Sequence, residues 1–481
     1  MLLAYIFVPL LGAAVMPILR KVWSKGTGIV AIAVTLYQIT ITGWMAYQNL
    51  VLNQSISMER WILNQAFALQ VDGLSMVALL TIGLVGLVTT VFSINYPIDE
   101  DRRPGYYALI MLAITGMNGL VMSTDLFSLY VFLEIVSITS FILIAYQYDN
   151  FGIEGSFKYM MLSAVATIFL LVAIALLFAF TGGVSFSELG AGVKGGGPVV
   201  TLCFAFIFFA LALKAGMIPF HGWLPDAYTS APAPVSILLA GIVTKIAGVY
   251  TIIRVILDVF GLNPAFLTLL MIIGAVSTVL GAFLALGQKD FKRMLAYSSI
   301  SQIGYIIMGF AAGTTLGLIG AVFHFFNHAV FKSLLFINAG SVEAATNTRN
   351  FDELGGLTER MPVTGITSVI GLLSTAGIPP LAGFWSKLII IVALWNAGFE
   401  FFAFVAVFAS VVTLAYLLSL QRHVFFGKIR EGLEGVKEVS PVLYWPAIFM
   451  AAITVLGGIF IPFFYDKLLN PINSLLGLLT K

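Results

Sequence analysis

Apolar runs long enough to cross a membrane follow one another along almost the whole chain. A helix needs about 17 to 25 mostly apolar residues to span about 30 Å of hydrocarbon, and about 14 runs meet this length. The pattern predicts an all-α polytopic membrane protein with about 14 transmembrane helices in a single membrane domain, 1–481. The predicted helices lie at 3–20, 28–50, 70–94, 106–123, 125–147, 158–181, 199–217, 235–257, 264–287, 295–313, 315–345, 363–398, 400–425 and 441–465.

Helices 7 and 12 are interrupted by a shared motif. Residues 215–223 read AGMIPFHGW and residues 376–384 read AGIPPLAGF, and both fit A-G-x-x-P-x-x-G-aromatic. Glycine often ends a helix and proline cannot continue one, so the motif predicts a break in each helix. Broken helices at membrane depth are tolerated where they face protein or a watery cavity, and they mark transport sites. The predicted breaks lie at Gly216, Pro219, Gly377, Pro379 and Pro380.

The two breaks also predict an internal repeat. They are five helices apart, so corresponding segments start on opposite sides of the membrane, which indicates two inverted five-helix repeats. The sequence SFKYMML around Lys158 is echoed by VFKSLLF around Lys332. The predicted division is helices 1–3 at 1–105, the first repeat (helices 4–8) at 106–257, the second repeat (helices 9–13) at 264–425, and helix 14 with the tail at 441–481.

Basic residues between the helices predict the orientation. Lys and Arg concentrate in the loops after odd-numbered helices, and loops rich in these residues face the cytoplasm. The loops after even-numbered helices hold little beyond Arg60, Lys194 and Arg254. Both termini are therefore expected on the outer side of the cell membrane. The basic residues assigned to the odd loops are Arg20, Lys21, Lys25, Arg102, Arg103, Lys289, Lys292, Arg293, Arg349, Arg360, Arg422, Lys428, Arg430 and Lys437.

Three charged residues lie inside apolar runs. Glu134 lies about 14 Å into helix 5 at 1.5 Å per residue, Lys214 precedes the break in helix 7, and Lys245 lies near the middle of helix 8. A charge in hydrocarbon is costly and indicates a functional site. Burial and a nearby carboxylate together tune how readily a lysine exchanges protons. The alternatives are a carboxyl kept neutral for packing, and lysines that snorkel to the membrane surface.

A polar stripe is predicted on helix 11. His324, His328 and Lys332 recur every four residues, so they share one helical face. The stripe suits a stepping stone for protons. Hydrogen-bonded packing is one alternative, and a metal or haem site, which needs further ligands, is another. Lys387 follows the break in helix 12, where the second repeat is expected to carry its charged residue, with a simple membrane anchor as the alternative.

The amino-acid composition limits the classes of function that the chain can have. The 481 residues are 60% hydrophobic and 10% charged, with a mean hydropathy of +1.03, whereas ordinary soluble domains contain about 25% charged residues. The net charge of +2 says little about function, because in a membrane protein the distribution of charged residues is more informative than their sum. The single cysteine, Cys203, excludes a disulfide framework and a cysteine-ligated iron–sulfur cluster. No phosphate-binding glycine loop is found, and no cofactor is expected in this chain. No basic domain indicates a nucleic-acid partner.

With these residues in place, the chain resembles the antiporter-like subunits of respiratory complex I, which are shared with Mrp-type cation/proton antiporters and membrane-bound hydrogenase complexes. Some members of this family carry a glutamate at the position of Lys387, so the lysine favours particular subgroups. The matching motifs span about 125–390: Asp125-Leu126-Phe127 with Glu134, Lys214 with PFHGWLPDAY, APAPVS before Lys245, DFKRMLAYSSISQIGY from Asp290, NHAVFKSLLF from Asn327, and GIPPLAGFWSK from Gly377.

The resemblance implies a fold and a set of roles. It implies fourteen helices, inverted five-helix repeats, two broken helices and a hydrated axis of charged residues in the membrane plane. Glu134 and Lys214 would be a modulating ion pair, and Lys387 the terminal proton site. Lys245 and the helix 11 stripe, with His324, His328 and Lys332, would form the middle of the proton path.

The sequence thus predicts an ion-translocating subunit, with protons favoured, of a multisubunit redox-driven complex related to NADH:quinone oxidoreductase, membrane-bound hydrogenase or Mrp antiporter. Its expected partners are other membrane subunits, a peripheral redox arm reached through them, the lipid bilayer, and protons or sodium. The chain itself would perform no redox chemistry. The alternatives are a sodium/proton antiporter module, a stand-alone secondary transporter, and a redox subunit that holds haem or quinone.

Overall fold

The computed structural model of the chain describes residues 2–23, 26–50, 61–63 and 67–476. Two basic residues used above to predict orientation, Lys25 and Arg60, lie outside these residues, and so does the end of the predicted tail, 477–481.

The described residues form a helical bundle. Two short strands, β1, Trp61–Leu63, and β2, Phe67–Leu69, pair in antiparallel orientation. A short helix at Phe186–Gly192 precedes helix 7. The membrane helices, numbered as in the sequence prediction, are 1, Leu2–Val22; 2, Gly26–Leu50; 3, Gly73–Asn95; 4, Arg103–Met122; 5, Leu126–Ile144; 6, Asn150–Thr181; 7a, Pro198–Ala215; 7b, Trp223–Ser230; 8, Ala233–Phe260; 9, Pro264–Leu286; 10, Phe291–Ala311; 11, Thr315–Thr346; 12a, Pro362–Ala376; 12b, Ala382–Asn396; 13, Glu400–Val424; and 14, Pro441–Leu476.

The helix count confirms the predicted fold class. Within the described residues, 13 helices are long and apolar enough to cross a membrane, and helices 12a and 12b are shorter apolar helices. Counted as one broken helix, these two halves bring the number of crossings to 14, as predicted. The chain is therefore an all-α polytopic membrane protein.

Several helix starts differ from the sequence prediction because polar caps lie outside the apolar runs. Helix 6 begins at Asn150 rather than at 158, since the Asp149 side chain accepts a hydrogen bond from the Gly152 N–H at 2.6 Å. Helix 10 begins at Phe291 rather than at 295, with Asp290 capping the Arg293 N–H at 2.9 Å. Such caps satisfy the free N–H groups of a first turn, and they need no hydrophobic residues to do so.

Both predicted breaks have the same local geometry. Helix 7a ends at Gly216, with φ 69°, and helix 12a ends at Gly377, with φ 85°. This left-handed conformation suits glycine, which has no Cβ. The Met217 N–H then donates to the Ala212 carbonyl, and the Ile378 N–H donates to the Leu373 carbonyl, each at 3.0 Å. This is the Schellman pattern of a helix C-terminus, so the shared A-G motif produces one shared helix ending.

Helix 8 departs from the ordinary helix expected from its sequence. It contains π-helical turns at Leu239–Val243, Lys245–Tyr250 and Ile256–Phe260. In a π turn, hydrogen bonds run from residue i to i+5, and such turns are frequent at functional sites. The Thr251 hydroxyl, for example, donates to the Ile246 carbonyl five residues earlier.

The central and peripheral helices differ in burial. In the most hydrophobic window of each, all residues of helix 8, 94% of helix 10 and 89% of helix 11 are buried, against 28% for helix 2 and 33% for helix 6. Large apolar side chains face outward on the peripheral helices, such as Ile168 on helix 6 and Phe401 on helix 13. These faces suit contact with lipid, whereas the central helices are enclosed by protein.

Two glycines allow helix 8 to approach its neighbours closely. A Cβ added at Gly248 would lie 2.4 Å from Ala215 Cα on helix 7a. A Cβ added at Gly241 would lie 2.5 Å from Ser333 Oγ on helix 11. Because Lys245 lies between the two glycines on the sequence, this packing brings its helix into contact with both neighbouring halves of the bundle.

We predict that Gly248→Ala destabilises the protein. The new methyl group would overlap the helix 7a backbone, which cannot yield as a flexible side chain can, so we expect a loss of about 1–3 kcal/mol in the free energy of unfolding. Thermal unfolding of the purified protein in detergent checks this. Gly43→Ala on helix 2 is the matched control, because nothing lies within 4 Å of its Cβ position. Equal unfolding temperatures for the two variants would contradict the close contact.

Candidate functional site

Glu134 and Lys214 form an ion pair between helices 5 and 7a. Lys214 Nζ lies 3.5 Å from Glu134 Oε1, and the side chains are 1% and 24% exposed. Lys214 also donates to Ser137 Oγ at 2.6 Å and to Ser163 Oγ. Thr167 on helix 6 donates to Glu134 Oε1 at 2.5 Å. The lysine at the helix break is thus held by one carboxylate and two hydroxyls from helices 5 and 6.

Lys245 is buried in the π-helical part of helix 8. Its Nζ donates to the Ala240 carbonyl, five residues earlier. No carboxylate pairs with it in the described part of the chain. It interacts electrostatically with the helix 11 stripe, where His324, His328 and Lys332 lie. The close packing at Gly248 and Gly241 thus places this lysine between the helix 7a break and helix 11.

Lys332 is fully buried between helices 11 and 10. Its Nζ donates to the Leu295 carbonyl at 3.1 Å and to Ser298 Oγ. The sequence counterpart noted above, Lys158, has a different environment, because its side chain is 43% exposed and pairs with Glu154 and Asp226, each at 2.7 Å. The shared sequence motif therefore corresponds to a buried amine on helix 11 and a surface ion pair on helix 6.

The two histidines of helix 11 stack above one another. Their ring centroids lie 6.3 Å apart with an interplanar angle of 8°. His324 Nδ1 lies 2.9 Å from Ser386 Oγ on helix 12b. His324 Nε2 and both ring nitrogens of His328 are buried, and they have no hydrogen-bond partner among the described residues. Buried polar atoms normally have partners, commonly ordered water, so this stripe suits a hydrated path.

Lys387 lies at the far end, on helix 12b. Its side chain is 3% exposed, and its Nζ lies 4.5 Å from the ring centroid of Tyr305 and 3.4 Å from Ser410 Oγ. The Tyr305 hydroxyl is hydrogen-bonded to Ser410 at 2.8 Å and to the Ala406 carbonyl at 2.5 Å. An aromatic face and hydroxyl groups therefore surround this amine in place of a carboxylate.

The structure thus buries six of the seven predicted side chains in the interior of one bundle, and Glu134 lies at its edge with its side chain 24% exposed. Direct contacts join Glu134 to Lys214, while helix packing and electrostatic interaction connect Lys245 to the helix 11 stripe. Ser386, which directly precedes Lys387, lies within hydrogen-bonding distance of His324. The arrangement forms a series of protonatable groups across the bundle, which can pass charge by local proton transfers.

The metal alternative for the helix 11 histidines lacks further ligands in the described structure. Among the residues described, no group of three or more His, Cys, Asp or Glu side chains is arranged to hold a metal ion. Structural zinc sites need four protein ligands and catalytic sites need three. Two stacked histidines are too few.

A charged network that joins helices 7b, 10 and 11 was not predicted from the sequence. Asp226 accepts from Lys158 at 2.7 Å and from Arg293 at 2.8 Å. Lys292, which the hydrophobic pattern assigns to a loop, is 1% exposed and pairs with Glu343 at 2.8 Å. Its burial follows from the Asp290 cap, which starts helix 10 before it. That aspartate, directly ahead of FKRMLAY, was the sequence signal for this placement.

A second unpredicted cluster surrounds Arg254. The orientation argument counts this residue with the loops after even-numbered helices, but it lies inside helix 8, within the predicted bounds 235–257, and is 7% exposed. Its guanidinium donates to both oxygens of Asp72, at 2.6 and 2.8 Å, and lies 3.4 Å from Asp258. Burial alone would raise the pKa of the Asp72 carboxyl, but the charge of Arg254 and hydrogen bonds from Arg254 and Ser75 outweigh it and hold the pKa below its usual value.

Comparison with known proteins identifies related membrane subunits. Residues 123–413, which include all seven predicted site residues, match the family described as NADH:quinone oxidoreductase/Mrp antiporter, TM. The chain is 34% identical over 403 residues to NADH-quinone oxidoreductase subunit N of Desulforudis audaxviator, covering 81% of this chain and 80% of that protein. It is 31% identical over 381 residues to a Na(+)/H(+) antiporter subunit of Alkalihalophilus pseudofirmus, covering 78% and 76%.

A solved structure shows the same architecture. A chain of the membrane-bound sulfane sulfur reductase, an archaeal respiratory membrane complex, aligns with a TM-score of 0.89 at 29% identity. The alignment covers 100% of this chain and 99% of that chain. The likeness therefore extends beyond the matched family segment to the helices at both ends.

We predict strong energetic coupling between Glu134 and Lys214. In a double-mutant cycle with Glu134→Gln and Lys214→Met, removing the carboxylate alone leaves a buried amine unpaired, so the double variant should be more stable than the sum of the single effects by about 1–3 kcal/mol. Chemical unfolding in mixed micelles measures this. The exposed pair Lys289 and Asp352, 2.8 Å apart, is the control and should show no resolvable coupling. Additive effects at Glu134 and Lys214 would show that the pair does not act as a unit.

Proposed function

Because the chain belongs to the NADH:quinone oxidoreductase/Mrp antiporter family of membrane subunits, we propose that it is an ion-translocating subunit of a multisubunit membrane complex. We propose protons as the ion and a redox reaction in partner subunits as the energy source. The chain itself performs no redox step in this proposal. NADH-quinone oxidoreductase and membrane-bound sulfane sulfur reductase, whose subunits it resembles, are complexes of this kind.

The observation that carries this proposal is the row of buried titratable groups. Four lysines, Lys214, Lys245, Lys332 and Lys387, are each at most 3% exposed, and two stacked histidines lie among them. Holding a charge inside a membrane is costly, and a scaffold has no use for this many such groups. A chain of proton sites does use them, because each amine or imidazole has a neutral form that burial favours.

Local charge changes can drive transfer along the row. Two unit charges about 6 Å apart interact by about 3 kcal/mol at an effective dielectric near 20. One pKa unit corresponds to about 1.4 kcal/mol, so such an interaction changes proton affinity by about a hundredfold. A charge change at Glu134 would alter the proton affinity of Lys214. The effect would then pass to Lys245 and the helix 11 stripe, and finally to Lys387. Each transfer requires only that the charge of the adjacent group has changed.

The types of side chain favour protons over sodium. Sodium and other hard cations prefer several oxygen ligands, such as carboxylates and carbonyls. Along the row, the described groups are mainly nitrogen bases, with Glu134 as the carboxylate. Sodium/proton exchange remains the competing function, because a relative is a Na(+)/H(+) antiporter subunit.

We further propose the assembly and orientation. Neighbouring membrane subunits would pack on the helical faces of this multi-pass protein, and a peripheral redox arm would act through them. We expect this chain to lie in the cell membrane with both termini outside, since the loops after odd-numbered helices hold most of the basic residues. Helices 4–8 and 9–13 would be the two inverted repeats, each with one break. No cofactor is assigned to this chain.

We predict that Lys245→Ala abolishes transport without preventing assembly. Vesicles that contain the intact complex should lose redox-driven proton uptake by about tenfold or more, because the central site of every transfer is gone. A pH-sensitive dye and a radioactive sodium tracer are followed in parallel. Lys289→Ala is the matched control, since this lysine is 74% exposed in a loop and pairs with Asp352.

The two probes separate the possible outcomes. Loss of the dye signal alone supports proton translocation, whereas loss of tracer movement as well supports sodium/proton exchange. Transport that survives at the wild-type rate in the assembled Lys245→Ala complex would show that the row is structural, and the proposed function would then be wrong.

A further inference from the structure

A polar stripe runs along helix 8 from Lys245 towards the end of the helix. The residues are Lys245, Tyr250, Arg254 and Asp258, at spacings of five, four and four. The first interval is one π turn and the others are α-type spacings, which place side chains on one face. Direct contacts confirm the second half: Arg254 Nε donates to the Tyr250 hydroxyl at 3.1 Å, and Arg254 lies 3.4 Å from Asp258. In an ordinary α-helix, Lys245 and Tyr250, five residues apart, would not share a face.

The middle of the stripe is a buried hydrogen-bonded cluster. Arg254 donates to Asp72 through two bonds and to Ser75 Oγ at 2.9 Å. The Tyr250 hydroxyl donates to the Val121 carbonyl at 2.7 Å and lies 3.1 Å from Ser75 Oγ. Two carboxylates against one guanidinium leave the cluster with a formal charge of −1. Helices 3, 4 and 8 thus meet around an anionic polar cluster below Lys245.

The far end of the stripe opens into a cavity of about 320 Å³. Asp258 lines it and its side chain is 33% exposed, whereas the Arg254 side chain behind it is 9% exposed. The opposite wall comes from the short helix Phe186–Gly192 and from Lys194 just after it. A volume of this size holds several water molecules, each of which takes about 30 Å³ of liquid. Asp258 is therefore the point at which the buried cluster meets a space wide enough for water.

We propose that this cavity is the outer mouth of a proton route that runs along helix 8 from Lys245, past Tyr250 and Arg254, to Asp258. The inference rests on the proposed function and adds an exit that the row from Glu134 to Lys387 does not contain. The Lys245 ammonium gives up a proton and becomes a neutral amine. The Asp258 carboxylate takes up a proton and then releases it to water in the cavity. The net negative charge of the cluster attracts the proton, and Arg254 stays protonated throughout, because a guanidinium has no acceptor site.

The competing explanation is mechanical. The bidentate contact of Arg254 with Asp72 joins helix 8 to the start of helix 3 and would stabilise the fold with no role in transport. Asp258 separates the two explanations, because it is the more exposed carboxylate, and its contact with Arg254 is the longer one at 3.4 Å. The proton route requires a group at this position that can take up and release a proton, whereas the mechanical explanation needs only the contact between Arg254 and Asp72.

The test removes the negative charge of Asp258 by substitution and then restores it by chemical modification. Proton transport is measured in vesicles with the intact complex for Asp258→Asn and for Asp258→Cys in a Cys203→Ser background, since Cys203 is the single native cysteine. We expect about a tenfold loss in both variants, because one charge interaction of about 1.4 kcal/mol is removed. A membrane-impermeant methanethiosulfonate carrying a carboxylate, added from outside, should restore most of the transport of the Cys variant, because a carboxylate can take up and release a proton, whereas one carrying trimethylammonium should not.

Two further variants keep the test decisive. Asp352→Asn, at an exposed aspartate in the loop between helices 11 and 12, is the matched control and should transport normally. Ala191→Cys, on the cavity wall, is compared with itself before and after the bulky cationic reagent, which should block transport by filling the cavity. This comparison decides the question even if variants of Asp258 assemble poorly.

The outcomes distinguish the two proposals. Normal transport in Asp258→Asn and in modified Ala191→Cys, together with loss of transport in Lys245→Ala, would overturn the exit route and leave the proposed function intact. Normal transport in Lys245→Ala would overturn the proposed function itself. Equal effects of the carboxylate and trimethylammonium reagents at position 258 would show that a protonatable acid is not needed there and would also overturn the route.

Discussion

Loss of hydration governs the chemistry of the buried lysines, and the surrounding architecture compensates for it with polar groups supplied by helix ends, hydroxyls and carbonyls. Lys214 lies where helix 7a stops, so its amine reaches hydroxyls on helices 5 and 6. Lys332 lies against a carbonyl and a hydroxyl of helix 10. Each amine has its own small set of donors and acceptors, and Glu134 is the one acidic partner along the described row. The fold thus separates the amines instead of neutralising them together.

Helix 8 connects the two halves of the bundle because small residues and irregular turns coincide there. Gly248 lets it touch helix 7a, and Gly241 lets it touch helix 11. The π turns that contain these glycines change which side chains share a face, so Lys245 can share a face with Tyr250 and Arg254. A regular α-helix of the same sequence would rotate these groups away from one another. Continuity of the polar interior therefore depends on a local irregularity in the most enclosed helix.

The sequence predicts the crossings and the two breaks because hydrophobic length and the A-G motif are local signals. Fourteen apolar runs correspond to the fourteen crossings, and Gly216 and Gly377 end their helices in the same conformation. The π turns of helix 8 escape prediction, since LLAGIVTKIAGVY is also a good ordinary helix. The hydrophobic pattern assigns Lys292 to a loop because a hydrophobic window ends at a charge, and it places Arg254 within helix 8 without showing that the side chain is buried. The burial of both residues depends on distant partners, Asp72 and Glu343. Partners far apart in sequence leave no periodic signal.

The contact between Lys245 and the Ala240 carbonyl has a consequence for how the protein tolerates gain and loss of a proton. A carboxylate partner binds an ammonium strongly and a neutral amine weakly, so deprotonation would release the side chain and disturb the packing around it. A carbonyl accepts a hydrogen bond from either form. Lys245 can therefore keep one position in both states. The hydroxyl of Ser298 beside Lys332 is equally indifferent, because it can donate or accept. The atoms around these amines can then stay in place whether or not a proton is bound.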